Sequence, residues 1–130
     1  MSKVNELIVE AVSKGYFVTN DGTIINPKGK IINGQVRYDR EKRAGKGRDK
    51  ARAYRYISYK NHKLPVHRVV AYLKFGERAF EAECVRHLND NPLDNSWSNI
   101  EIGTFYDNSQ DAIRNRRFDN YRRKSGGYNS

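Results

Sequence analysis

Hydrophobic positions near the N-terminus predict an amphipathic helix. Its apolar residues recur at helical spacing. They are Val4, Leu7, Ile8, Ala11 and Val12. Ser2 stands where an N-cap residue would accept a hydrogen bond from the first turn. Gly15 supplies a C-terminal stop, because glycine readily adopts the left-handed backbone that ends helices.

Short apolar runs after this helix predict β-strands. They cover residues 16–19, 23–26, 30–33, 35–38 and 53–59. The first two runs are joined by Asn20-Asp-Gly, and an Asp-Gly pair between β-branched and aromatic residues is a strong hairpin signal. We expect one small antiparallel sheet that continues through all five runs.

The second half of the chain predicts a helix, two strands and a final helix. Residues 67–75 have helical periodicity and end at Gly76. Strands are expected at residues 84–88 and 100–103. A capping box of Thr104 and Asp107 should then begin the last helix. That helix is predicted to turn three apolar residues inward, namely Phe105, Ala112 and Ile113.

Between the predicted strands at 84–88 and 100–103 lies a loop rich in turn-forming residues. It carries His87 at one end and Asn99 twelve positions later, and Asn108 follows at the start of the helix. Asn, Asp, Pro and Ser fill the interval, and such residues hydrogen-bond their own backbone. We therefore expect a compact loop that brings these three polar side chains together.

The chain is strongly basic. It has 25 Lys and Arg against 15 Asp and Glu in 130 residues, a formal net charge of +10. Such a charge favours a polyanionic partner through counterion release. Residues 39–52 contain seven basic residues, two glycines and no large apolar residue, which predicts a mobile loop. Either a solvated hairpin tip or a contact with the DNA backbone fits it, and the overall charge favours the contact.

Other site classes are excluded by composition. A single cysteine, Cys84, rules out an intramolecular disulfide and a cysteine-cluster zinc site. No apolar run approaches the roughly 20 residues of a membrane span, and the N-terminus lacks the apolar segment of a signal peptide. We expect a protein without membrane contact that works in a reducing cytoplasm.

The three polar residues suit phosphodiester cleavage. A histidine has an ordinary pKa of about 6.5, so His87 can act as a base near neutral pH. Asn108 can offer an oxygen to a divalent ion such as Mg²⁺, which takes few protein ligands and keeps several waters. Asn99 is expected to fasten the loop through bonds to backbone groups. His67, at the start of a helix, is expected to be a structural residue.

Four motifs in order resemble the HNH endonucleases of phages and mobile introns. They are Val66-His-Arg-Val-Val-Ala, Val85-Arg-His-Leu-Asn-Asp-Asn-Pro-Leu-Asp-Asn, Ser98-Asn-Ile-Glu-Ile-Gly-Thr and Asp107-Asn-Ser-Gln-Asp. The resemblance covers about residues 65–117. A second, shorter resemblance covers residues 15–24, which are similar to the small N-terminal module that often precedes such nuclease units.

The resemblance implies an α+β protein with a ββα-metal unit. It implies that His87 is the general base, Asn99 the central asparagine of the loop, and Asn108 a catalytic residue that ligates Mg²⁺ or another divalent cation such as Mn²⁺. The activity implied is nicking or cleavage of double-stranded DNA by a phage-encoded or homing-type enzyme, in the cytoplasm of a host cell. We divide the chain into residues 1–60, the nuclease unit at 61–124, and a disordered tail at 125–130.

Arg86 departs from the family pattern. Several members place a metal-ligating acidic residue or asparagine beside the catalytic histidine, and an arginine cannot ligate a cation. Asp111, one turn after Asn108, is expected to be a helix-surface charge or an extra ligand. The residues predicted to hold the DNA backbone are Arg43, Lys46, Arg48, Arg52, Arg68, Arg86, Arg116 and Arg117.

Two other functions fit the same residues. The first is a non-catalytic DNA-binding protein that keeps the HNH scaffold, and the second is an RNA-binding or ribosome-associated basic protein. The sequence also leaves the oligomeric state open between a monomer and a homodimer, because no apolar heptad predicts a dimer interface.

Overall fold

A computed structural model of the chain describes residues 1–42 and 49–124, with side chains outside 39–52 and 116–124. The fold is α+β, as predicted. Its elements are α1 (Lys3–Ser13), β1 (Phe17–Val18), β2 (Ile24–Ile25), β3 (Ile31–Ile32), β4 (Gln35–Lys42), β5 (Asp49–Tyr59), β6 (His62–Pro65), α2 (Val66–Phe75), α3 (Arg78–Glu81), β7 (Cys84–His87), β8 (Ile100–Gly103) and α4 (Phe105–Lys124). A 3₁₀ turn at Trp97–Asn99 precedes β8.

The first helix begins and ends where the sequence predicted. The Ser2 side chain accepts a hydrogen bond from the Asn5 backbone N–H at 3.2 Å. Gly15 follows the helix with a φ of 107°. The apolar face of the helix packs into the core, with Ile8 completely buried.

The expectation of one continuous N-terminal sheet is wrong. Strands β1, β2 and β3 form one antiparallel sheet, and β4, β5 and β6 form another. Gly34 separates them with a φ of 68°, and a Cβ there would lie 2.3 Å from the Tyr56 carbonyl oxygen. A left-handed residue pressed against β5 turns the chain out of the first sheet.

The prediction of a loop over residues 39–52 is also wrong at both ends, where the chain forms strands. The β4–β5 ladder continues to the pair Lys42↔Asp49. Antiparallel strands satisfy their backbone groups by mutual hydrogen bonds, so the ladder extends without any apolar side chain to drive it. Three residues predicted to contact the DNA backbone lie outside the described residues, namely Arg43, Lys46 and Arg48.

Strand β6 was not predicted, because its turn lacks glycine. Lys60 and Asn61 connect β5 to β6, with φ values of 46° and 64°. Two positive φ values in a two-residue connection are the geometry of a type I′ hairpin, which Asn-Gly would have signalled. His62 is the exposed first residue of β6.

The C-terminal half contains the predicted ββα unit. Strands β7 and β8 pair in antiparallel register, with His87 opposite Ile100. The Thr104 hydroxyl oxygen accepts from the Asp107 N–H at 3.1 Å, and the Asp107 carboxylate accepts from the Thr104 N–H at 3.0 Å. This reciprocal pair confirms the predicted capping box.

The inward face of α4 differs from the prediction. Phe105 is 65% exposed and Ile113 is 37% exposed, whereas Asp111 is 1% exposed. The reason is an arginine on β7 that binds the Asp111 carboxylate, so the contact between strand and helix is ionic rather than apolar.

Among the described residues, no helix is long and apolar enough to cross a membrane.

One cluster of buried apolar side chains crosses the predicted boundary at residue 60. It contains Leu7 and Ile8 from α1, Ile57 from β5, Val70 from α2 and Ile100 from β8. Strands β5 and β6, on opposite sides of that boundary, are paired along four residues. The two predicted parts therefore share a core.

The shared core predicts that a cavity in α1 destabilises the nuclease unit. We expect Ile8→Ala to lower the free energy of unfolding by about 2–5 kcal/mol, because the side chain is fully buried. Trp97, the sole tryptophan, reports on the loop before β8. Its fluorescence and far-UV circular dichroism should shift together to lower denaturant.

The matched control is Ile31→Ala, since Ile31 is 55% exposed and should change stability little. If the midpoint of the Trp97 fluorescence transition stays at the wild-type denaturant concentration while the circular dichroism midpoint shifts, the two parts fold independently.

Candidate active site

A polar cleft of about 300 Å³ opens beside the end of β7. It is lined by Tyr54, Tyr56, Pro65, His67, Arg68, Val85, His87, Asp90, Pro92 and Asn108. We call it the His87 cleft. Two of the three polar residues predicted to act together, His87 and Asn108, line it, and they come from a strand and a helix that the antiparallel ββ pair brings side by side.

His87 is the last residue of β7 and is 9% exposed. Its Nε2 lies 2.9 Å from Oδ1 of Asn95, a residue that is 4% exposed. Its ring also contacts the ring of His67, with centroids 5.4 Å apart. The imidazole is thus held at one edge by an amide and at its face by a second ring, which fixes its orientation in the cleft wall.

Asn99 closes the loop after His87, as the sequence predicted from side-chain chemistry. Its Oδ1 accepts from the Asn89 backbone N–H at 3.0 Å. Its Nδ2 donates to Oδ1 of Asn89 at 2.9 Å and to the Asp94 carbonyl at 2.8 Å. One buried amide therefore joins the first and last parts of the loop.

Asp94 stiffens the same loop from the inside. Its carboxylate accepts from both the hydroxyl and the backbone N–H of Ser96 and from Nδ2 of Asn89. These bonds favour the ionised form, and with the nearby His87 they hold the pKa of Asp94 below its usual value. The loop is compact because its polar groups are satisfied within it.

Asn108 lies in the first turn of α4, where its N–H donates to the Thr104 carbonyl at 3.1 Å. Its partly exposed side chain lines the His87 cleft. The capping box before it fixes where the helix begins, and so fixes which residue of the first turn reaches the cleft. A neutral amide there presents one oxygen suited to a hard cation.

Arg86 and Asp111 form a buried bidentate ion pair. Arg86 Nε lies 2.8 Å from Asp111 Oδ2 and its Nη2 lies 2.9 Å from Oδ1. Arg114 adds a contact to Oδ1 at 3.1 Å. The expectation that Asp111 is a surface charge or an extra ligand is wrong, because its carboxylate is enclosed and already holds two guanidinium groups.

This ion pair neutralises the arginine that precedes His87 in the sequence. The Asp111 hydrogen bond raises the pKa of Arg86 above its usual value, so the guanidinium stays charged but is matched by a carboxylate. The pair also ties β7 to α4. Arg114 and Asn115 complete the connection by donating to the Leu88 carbonyl at 2.9 and 3.1 Å.

His67 is closer to the site than the sequence suggested. Its ring lies between His87 and Tyr54, with centroid distances of 5.4 Å to each. Desolvation, and then the electrostatic influence of His87 and Arg68, lower the pKa of His67 to about 3. His67 is therefore neutral at physiological pH and forms an uncharged wall of the cleft.

The predicted DNA contacts are only partly visible. Arg68 lines the cleft and donates from Nη2 to Oδ1 of Asn5 at 2.8 Å, which fixes it to α1. Arg86 faces Asp111. The side chains of Arg52, Arg116 and Arg117 lie outside the described part of the structure.

Asn95, Asp90 and the pairing role of Asp111 were missed from the sequence. Asp90 lines the cleft with a left-handed backbone, φ 61°, and brings a carboxylate to the same opening as Asn108. All three lie in segments crowded with similar polar residues. No spacing rule separates the one that faces the histidine from those that bond their own loop.

The low pKa of His67 predicts a pH-dependent stability. The unfolded chain binds a proton at this residue near pH 6.5, while the folded chain stays neutral down to about 3. Stability from His67 is thus complete above 6.5 and is lost as pH falls from 6.5 towards 3, by up to about 1.4 kcal/mol per pH unit.

We expect His67→Phe to remove this slope when unfolding free energies are compared between pH 7 and pH 4. The exposed His62 provides the control, and His62→Phe should retain the wild-type pH dependence. Parallel pH curves for wild-type and His67→Phe would contradict the assignment.

Comparison with known proteins agrees with this geometry. Residues 64–110 match the family model described as HNH endonuclease. No curated protein and no solved structure matches the chain. The matched segment begins in β6, includes the whole loop with His87 and Asn99, and ends just after Asn108. This match supports assigning residues 64–110 to the HNH endonucleases.

Proposed function

We propose that this nuclease hydrolyses phosphodiester bonds of double-stranded DNA with a divalent metal ion, as a phage-encoded or homing-type enzyme. The observation that carries the proposal is the cleft itself, which brings the imidazole of His87 and the amide of Asn108 to one opening on a basic protein. Hydrolysis would give 5′-phosphate and 3′-hydroxyl ends, as the resemblance to HNH endonucleases implies.

His87 is the general base of the proposed reaction. Its ring is anchored by Asn95 and flanked by His67, a neighbour that carries no charge at neutral pH. An anchored imidazole can take a proton from water along a fixed direction, and proton transfer of this kind contributes about 10²–10⁴-fold to rate.

The residues of the cleft fit a divalent cation held by few protein ligands. Asn108 offers an amide oxygen and Asp90 a carboxylate at the same opening. No group of three or more His, Cys, Asp or Glu that would bind a metal tightly exists among the described residues. Mg²⁺ or Mn²⁺ bound by Asn108 would supply charge stabilisation for the phosphate and the departing oxygen.

The Arg86–Asp111 pair removes an obstacle to that cation. An unpaired guanidinium next to the site would repel a divalent ion, but this one is matched by a carboxylate at 2.8 Å. Arg86 remains 16% exposed at its side chain, so part of it can still meet a DNA phosphate. We therefore keep both Arg86 and Arg68 among the proposed contacts with the DNA backbone.

A single cleft cuts one strand, so a monomer would nick DNA and a homodimer would be needed for a double-strand break. The remaining proposed backbone contacts are Arg43, Lys46, Arg48, Arg52, Arg116 and Arg117. Phosphate contacts of this type position the duplex without reading its bases.

The alternative is a non-catalytic DNA-binding protein on the same scaffold. Arg86 favours it, because the residue removes a possible metal ligand from beside His87. The two functions differ in one measurable respect, which is the conversion of supercoiled plasmid to the nicked form.

We expect the protein to nick supercoiled plasmid with Mg²⁺ or Mn²⁺ and to lose this activity in EDTA. His87→Ala should reduce the rate about 10²–10⁴-fold while duplex binding in a gel-shift assay is retained. His62→Ala is the matched control, because His62 is exposed at the start of β6 and should nick at the wild-type rate. Binding without nicking by the wild-type protein would establish the non-catalytic alternative.

Because the cleft offers a metal ion few protein ligands, we predict that the affinity for the ion depends on bound DNA. We expect calorimetric titration of the free protein with Mg²⁺ to show no saturable binding. A complex of His87→Ala with duplex DNA should bind the ion, since substrate phosphates complete its shell. Asn108→Ala in that complex should weaken binding, and tight Mg²⁺ binding without DNA would contradict the proposed site.

A further inference from the structure

We propose that Asn95 is a positioning residue that fixes the tautomer of His87, and that the β1–β2 turn (Asn20–Gly22) holds Asn95 in place for this task. The inference rests on the proposed function, in which His87 is the base. It gives the β1–β2 turn, which lies outside the matched segment 64–110, a part in catalysis.

The contact between Asn95 and His87 defines the proton on the ring. Oδ1 of Asn95 lies 2.9 Å from Nε2, and an amide oxygen only accepts hydrogen bonds. A neutral imidazole therefore carries its proton on Nε2, which leaves the lone pair on Nδ1. Because Asn95 is 4% exposed, water does not compete for this bond. Nδ1 is then the ring nitrogen that carries the lone pair a general base needs.

The backbone of Asn95 is pressed against the turn between β1 and β2. A Cβ built on Gly22 would lie 2.4 Å from the Asn95 carbonyl oxygen and 2.9 Å from its Cβ. Two residues further on, the Trp97 N–H donates to the Asn20 carbonyl at 2.9 Å. The turn thus contacts the loop on both sides of Ser96.

This turn is itself rigid. The Asp21 carboxylate accepts from the Thr19 hydroxyl and from the Thr23 N–H, and these bonds keep the pKa of Asp21 below its usual value. The Gly22 N–H donates to the Thr19 carbonyl at 3.0 Å. A rigid turn in van der Waals contact with a loop transmits its own position to that loop, since close-packed atoms have no room to yield.

The same sheet contains a matched position for comparison. Gly22 and Gly29 both occupy turns, with φ values of 88° and 85°. A Cβ at Gly22 would collide with Asn95, whereas a Cβ at Gly29 would meet nothing within 4 Å. Alanine at either position carries the same left-handed backbone strain, but only at Gly22 does it displace the loop.

The first test reads the ring directly, by ¹⁵N NMR of histidine-labelled protein at a pH where the ring is neutral. His87→Gln assigns the His87 signals by their loss. The wild type should show protonated Nε2 and unprotonated Nδ1. Asn95→Leu, which has similar size but no acceptor, should average the two nitrogen shifts, and Asn95→Asp, which restores an acceptor oxygen, should recover the wild-type pattern.

Plasmid nicking should follow the tautomer. We expect Asn95→Leu to lose about 10- to 100-fold in rate, as is usual when the partner that orients a functional histidine is removed, and Asn95→Asp to recover part of it. Gly22→Ala should lower nicking and shift the His87 ring signals, while Gly29→Ala should change neither beyond its effect on thermal stability.

Three results would overturn the inference. They are a wild-type ring protonated on Nδ1, an unchanged ring spectrum in Asn95→Leu, and equal losses of nicking in Gly22→Ala and Gly29→Ala. A protein that shows the expected ring spectra but never nicks would instead overturn the proposed function and leave the role of Asn95 in orienting the ring intact.

Discussion

The rest of the site depends on the amide of Asn99. A loop of eleven residues separates it from His87, and a loop of that length would ordinarily sample many conformations. The Asn99 amide joins Asn89 to Asp94 by three hydrogen bonds in a buried position. This closure holds the segment that carries Asn95 against His87. It also sets the start of β8, and through β8 the start of α4 and the place of Asn108.

Ion pairing and burial control the charge around the site. Asp111 neutralises Arg86 and gathers Arg114, so the ionic contact between β7 and α4 replaces an apolar one. His67 stays uncharged because it is desolvated next to another histidine. The cleft therefore has the neutral side chains of His67 and Asn108 beside the carboxylate of Asp90 and the guanidinium of Arg68, within a protein of net charge +10. Under the proposed function, such an arrangement would draw DNA to the surface and leave room for a divalent cation at the cleft.

Parts of the fold that rest on local chemistry were predictable. The cap of α1 and the capping box at Thr104 each follow from residues three positions apart. The paired strands β7 and β8 follow from two apolar runs on either side of one loop. Errors arose where distant segments meet. The separation of the two N-terminal sheets depends on the approach of Gly34 to Tyr56, and the burial of Asp111 depends on an arginine twenty-five residues earlier.

Residue chemistry and the order of the motifs were enough to predict the fold class and to identify a family resemblance, and that resemblance implied the roles expected for His87, Asn99 and Asn108. Which polar residues are partners depends on how the chain folds. Asn95 is one of several asparagines in its loop, and nothing in their order marks it as the one that meets Nε2 of His87. Packing contributes to that choice, since Gly22 of a distant hairpin lies so close that a Cβ there would be 2.4 Å from the Asn95 carbonyl oxygen.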